Sequence, residues 1–166
     1  MEHPKAVAAL LAVVLVAGCT NVMSLLDRPF RKPGEHLKAF PDKVWKQYGC
    51  EKQPLPFFKI ELLDLSPRRL KPGEQFKQRF IYALCTAAST GVVTGRLETR
   101  IMHRGTPVVH EKDPNYDLKP GRWVIDSFVR LPEDAEVGIY AFELEFRSDL
   151  VEFDRTMTFA VEEGGS

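Results

Sequence analysis

From Phe57 onward, apolar and polar residues alternate with a period of two, and short clusters of Pro, Gly and charged residues interrupt the pattern. Phe57–Leu65 has strand composition and stops at Ser66-Pro67, and a turn follows at Leu70-Lys71-Pro72-Gly73-Glu74. In Phe76–Cys85, Phe76, Phe80, Tyr82 and Leu84 share one side, with Lys77 and Arg79 on the other. Val92–His103 sets Leu97, Thr99 and Ile101 against Arg96, Glu98 and Arg100; the chain turns at Arg104-Gly105 and returns over Thr106–Glu111. After a second turn at Leu118-Lys119-Pro120-Gly121, Trp123, Ile125 and Val129 oppose Asp126 and Arg130. Ile139–Arg147 sets Tyr140, Phe142, Leu144 and Phe146 against Glu143, Glu145 and Arg147, and Val151–Val161 repeats the alternation. Seven such segments without a long helical period predict an all-β fold in which two antiparallel sheets bury their inner faces and wet their outer ones. A closed barrel is the competing arrangement, and the irregular spacing of the turns favours the sandwich.

The stretch Pro132-Glu133-Asp134-Ala135-Glu136-Val137-Gly138, leading through Ile139 to Tyr140, resembles the corner of immunoglobulin-like domains. There, a tyrosine near the start of a strand bonds back to the preceding corner. The expected fold is therefore an immunoglobulin-like antiparallel β-sandwich of about seven strands over 56–162, with a flexible tail at 163–166. Thr20–Leu55 is rich in charge, proline and turn residues and reads as a tether. Within it, Asp42–Gly49 predicts a short helix, with Pro41 at its start and Gly49 as its stop. Val44, Trp45 and Tyr48 share a face that packs on the domain if the turn is ordered, or stays wet if the segment is only linker.

Composition changes this picture little, but the amino terminus changes it a great deal. Lys5 precedes an uncharged apolar run, Ala6–Ala17, which is short for a membrane span and is followed by small residues and a cysteine. Val16-Ala17-Gly18-Cys19 resembles the lipobox of bacterial lipoproteins. That resemblance implies a signal peptide over 1–18, a diacylglyceryl thioether on Cys19, and acylation of the new amino terminus by palmitate-class chains. Two or more chains give a stable anchor where one gives marginal binding. The alternatives are an ordinary secretory signal cut near Ala17 and an uncleaved anchor. Thr20 stands where some lipoproteins carry an Asp that retains them in the inner membrane, so the expected address is the outer membrane, facing the periplasm. Leu118–Phe146 is in turn similar to bacterial envelope lipoproteins of this architecture, a group with no assigned activity to carry over.

Two cysteines remain, Cys50 and Cys85, and in an oxidising compartment an even pair is most simply a disulfide. The alternative is a pair of free thiols or a redox pair, for which the C-x-x-C spacing is missing. The chain of 166 residues carries 23 basic and 23 acidic side chains. That balance gives no electrostatic reason to expect nucleic acid or anionic lipid.

A search for catalysis returns nothing that outweighs a structural explanation. There is no G-x-S-x-G, and Gly91 and Gly95 lie in a strand-like region with no following helix to cradle phosphate. Glu143 and Glu145 project at a period of two, and arginines on neighbouring strands account for them as cross-strand pairs. His103 and His110 flank the Arg104-Gly105 turn and form the candidate metal pair, without a clear third ligand. Phe128 falls on the polar parity of its strand and Phe58 opposes Phe57; each marks either a contact surface or a bulge that buries it. The sequence reading is a non-enzymatic envelope module with no catalytic residue, cofactor or nucleic-acid partner. It meets the membrane through Cys19 and an envelope protein through its surface. A periplasmic small-ligand or metal-binding sandwich is the alternative.

Overall fold

The computed structural model describes residues 34–163, which hold nine strands, one α-helix and one 3-10 turn. In chain order these are β1 (Glu35–Ala39), α1 (Pro41–Tyr48), the 3-10 turn (Cys50–Lys52), β2 (Phe57–Ser66), β3 (Arg69–Leu70) and β4 (Gln75–Cys85). They continue with β5 (Val93–His103), β6 (Thr106–Leu118), β7 (Gly121–Arg130), β8 (Gly138–Arg147) and β9 (Glu152–Val161). One sheet has the order β1-β7-β4-β2 and the other β3-β9-β8-β5-β6. Neighbours are antiparallel except β3 and β9, which run parallel over Arg69 and Leu70. The sandwich and its seven predicted strands are present, with two strands more than expected.

Alternation decides which residues are inside. Phe76, Phe80, Tyr82 and Leu84 of β4 face Tyr140, Phe142, Leu144 and Phe146 of β8 across the core, joined by Ile101, Phe153 and Phe159. Phe76 meets Phe142 edge-on with centroids 5.9 Å apart, and Phe58 stacks on Phe153 at 5.2 Å. Each such side chain contributes about 1.5–3 kcal/mol on leaving water, which makes this aromatic layer the main source of cohesion.

Three differences from the sequence pattern have local causes. In β2 the register shifts between Ile60 and Leu62, so Glu61 is an extra residue that flips parity. Phe58, Ile60, Leu63 and Leu65 all point inward as a result, and Phe58 is a core residue. Phe128 has no such bulge and stands 65% exposed on the outer face. β6 runs on past Glu111 to Leu118, because at the sheet edge Pro114 has no ladder bond to lose. Pro114 and Asn115 bulge there opposite Arg96. Finally, the described part of the expected tether is largely structured: β1 pairs with β7 from Glu35↔Ile125 to Ala39↔Arg122. In an immunoglobulin-like sandwich that neighbour position belongs to a strand from the middle of the chain; here it is filled from the amino-terminal side.

Candidate functional site

The helix that follows β1 builds one wall of the site. Pro41 occupies the first helical turn, where a missing N–H costs nothing, and the Phe40 carbonyl accepts from Lys43 and Val44. Gly49 ends the helix in the left-handed conformation at φ 58°, its N–H bonded to the Trp45 carbonyl. Val44 is fully buried against Ala83, Cys50 and Cys85 on the outer face of the first sheet, with Trp45 and Tyr48 packed around them. The Cys50–Cys85 disulfide closes this small core, its Cα atoms 6.4 Å apart. Tyr48 donates to Glu61 Oε1 at 2.7 Å, and Arg122 reaches both Glu61 and Gln47 at 2.7 Å. Burial works against the Glu61 carboxylate, but the hydrogen bonds from Arg122 and Tyr48 outweigh it and hold Glu61 below the usual range.

Beside the start of α1 lie two adjoining hollows that share Pro41, Ser89 and Pro120. One, of about 350 Å³, is walled by Trp45, Cys85 and Thr86; the other, of about 270 Å³, by Leu37, Val92 and Trp123. Phe40, 64% exposed, immediately precedes Pro41. Lys119, which lines the second hollow, belongs to a buried polar cluster. Lys119 makes an ion pair with Glu35, and Tyr116 donates to Glu35 Oε1 at 2.7 Å. The Lys119 N–H donates to the Tyr82 hydroxyl at 2.8 Å, and its ammonium lies 4.9 Å from the Trp123 ring centroid. Burial pushes the Tyr82 and Tyr116 hydroxyls far above their ordinary values, so both stay protonated.

Strand registers put this apolar end at one pole of the sandwich, with Ala39, Cys85, Val93, Leu118 and Gly121. The opposite pole holds the Gln75–Arg130 end of the first sheet, the His103–Thr106 hairpin and Val161. Of the residues singled out from sequence, Trp45, Cys50 and Cys85 come together here, and Cys19 lies outside the described residues. Glu35, Lys119, Pro120 and Trp123 were not singled out as site residues. The Leu118–Gly121 signal marked only a turn, and nothing local announced that a buried carboxylate would meet it.

His103 and His110 are not brought together. His110 pairs with Arg100 on the outer face of the second sheet, its Nε2 3.4 Å from Glu98. His103 points to the inner side and stacks on Tyr140 at 4.1 Å. Among the described residues no three His, Cys, Asp or Glu side chains are grouped to hold a metal ion. Glu143 and Glu145 are cross-strand partners, as their spacing suggested: Arg100 donates to each at 2.9 Å. Tyr140 donates to the Glu136 carbonyl at 2.8 Å, which is the corner bond expected for an immunoglobulin-like sandwich.

The fold and this corner define a β-sandwich of the immunoglobulin-like kind. No family model matches the sequence, and no curated protein matches it. Partial likenesses to solved structures include the Pseudomonas fluorescens alkylpurine DNA glycosylase AlkC bound to DNA containing an abasic site analogue, at 12% identity and a TM-score of 0.46. That match covers 63% of this chain and 30% of the glycosylase. A β-glucosidase from Listeria innocua matches at 16% identity and a TM-score of 0.41, over 68% of this chain and 17% of the enzyme. Spo0M, a sporulation control protein from Bacillus subtilis, matches at 11% identity and a TM-score of 0.37, over 66% of this chain and 50% of that one. At these levels no activity or ligand transfers. Among the described residues no helix is long and apolar enough to cross a membrane.

Proposed function

We propose that the protein is a bacterial lipoprotein anchored through Cys19, with an immunoglobulin-like sandwich that works as a non-enzymatic interaction module in the envelope, on the periplasmic face of the outer membrane. The lipobox Val16–Cys19 supports the anchor. The observation that carries the interaction reading is the pair of apolar hollows around Pro41, Trp45, Pro120 and Trp123. The occupant we assign to them is an apolar segment of another envelope protein. The described chain begins at Gly34, beside Asp126 in the middle of β7. Trp45 and Trp123 in the hollows, with Phe40 exposed beside them, supply the aromatic side chains that interface centres favour.

Photo-crosslinking in intact cells tests this. A photoreactive residue at Phe40 or Val92 is expected to capture one discrete envelope protein, while the same group at Thr156, on the outer face of the second sheet, captures none. Crosslinks to lipid alone, or equal capture from all three positions, would overturn the docking assignment. Cys19→Ser is expected to move the protein from the membrane to the soluble fraction. Retention of that variant, or an unmodified mature amino terminus by mass spectrometry, would remove the anchor.

A further inference from the structure

The pole that holds the His103–Thr106 hairpin contains a separate hollow, of about 470 Å³, with His103, Arg104, Asp134, Glu136 and Tyr140 among its lining residues. His103 is nine-tenths buried, with 10% of its side chain exposed. Its Nδ1 lies 3.2 Å from the Ile139 carbonyl, which can only accept, so Nδ1 carries a proton, and in the neutral ring the lone pair is at Nε2. Nε2 is shut off from solvent and has no hydrogen-bond partner. The charged atom facing it is Glu136 Oε2, 3.6 Å away, beyond hydrogen-bond reach and also an acceptor. Two acceptors therefore face each other with no donor between them. Arg104 does not fill the gap, since its Nη1 donates to Glu136 at 2.8 Å. Asp134 adds a further carboxylate to the hollow and has no ion pair among the described residues.

We infer that this hollow is a binding site for a primary alkylammonium group, which bridges His103 Nε2 and Glu136. An ammonium is a compact cation whose N–H donors reach both acceptors, and Asp134 on the wall of the same hollow adds negative charge. An anion meets carboxylates here, and a metal ion finds too few ligands. Val108, Pro132 and Ala135 line the same hollow and suit the aliphatic stem of such a group. Bridging needs roughly 4.5 Å between the two acceptors, given hydrogen bonds of about 2.8 Å to each. The Glu136 side chain must therefore withdraw by roughly 1 Å, and at 64% exposure it is free to do so. Its backbone stays fixed, because the Glu136 carbonyl is held by Tyr140. The site is independent of the apolar hollows at the other pole and stands whether or not they dock a protein.

The test is a titration of the full chain, imidazole-labelled with ¹⁵N and held in detergent micelles at mildly alkaline pH. The probe is n-butylammonium chloride, with tetramethylammonium, which has no N–H donor, as the control cation. The expected result is a saturable shift of the His103 Nε2 resonance with the primary amine and none with the quaternary one. Glu136→Gln should weaken the amine about tenfold, and Asp134→Asn, which removes only a neighbouring charge, by less. A His103 ring that responds to pH but to neither cation would show that a proton alone fills the gap. Equal responses to both cations would show only screening. Either outcome overturns the assignment, and the two variants guard against misreading a single destabilised one.

Discussion

Glu35 is the residue on which β1 depends most heavily. His36 and Lys38 point away on the outer face, while the Glu35 carboxylate is only 3% exposed and meets Lys119 and Tyr116 inside. Removing one member of such a pair leaves the other charge buried without a counter-ion, which costs about 3–5 kcal/mol; replacing both by apolar residues is far milder. Glu35→Gln is therefore expected to lower unfolding stability in urea by that amount, and Glu35→Met with Lys119→Met to recover most of it. Asp126 shows the reverse situation, a charge that is well served. Arg79 at 2.7 Å and Lys77 at 2.9 Å hold its carboxyl far below the usual carboxylate range, against the opposing effect of partial burial. A depressed folded value means that this stabilisation is fully present above the unfolded carboxylate value of about 3.9 and fades as pH falls through the folded one. Melting temperature should accordingly fall more steeply below about pH 4 in the wild type than in Asp126→Asn, with the two curves converging in acid. Neither residue was legible in the sequence as special. Both owe their roles to partners more than forty positions away, Lys119 for Glu35 and Arg79 for Asp126.

Among the elements, what could be read locally was read well. Pro41 and Gly49 bracket α1, and a period of two marks β5, β7, β8, β9 and the first half of β4, where one face is wet; the rest of β4 is covered on its outer face by α1. The failures have physical causes. β1 has five residues, too few for alternation to stand out among prolines and charges, and its inward Glu35 breaks the apolar pattern. β3 has two residues held by β9 alone, and β2 conceals a parity change at Glu61. The disulfide belongs to this scale, since it fastens α1 to the end of β4. Bridging positions 35 apart removes loop entropy from the unfolded chain worth roughly 3–4 kcal/mol. Cys50→Ser with Cys85→Ser should lose about that much stability in urea, and hydrogen exchange should quicken first in α1, whose own core is only Val44 and its aromatic neighbours.

For the molecule as a whole, the class of fold followed from pattern, but the order of strands did not. Nothing in Glu35–Ala39 specifies β7 as its neighbour, because that choice is settled by long-range contacts such as Glu35 with Lys119. The apolar hollows were invisible for the same reason. Pro41, Val92 and Pro120 come from three separate connections that meet only when both sheets close. The two poles then acquire different characters, aromatic and proline-rich at one, acceptor-rich at the other. The covalent link at Cys50 has a mechanical corollary. Force applied along the chain from the amino-terminal side of Gly34 can peel β1 from β7 and unwind α1, but it then arrives at a bond to the end of β4, an inner strand of the first sheet. The body thus carries its own extensible slack with a hard stop, and everything beyond Cys50 is spared the first stretch.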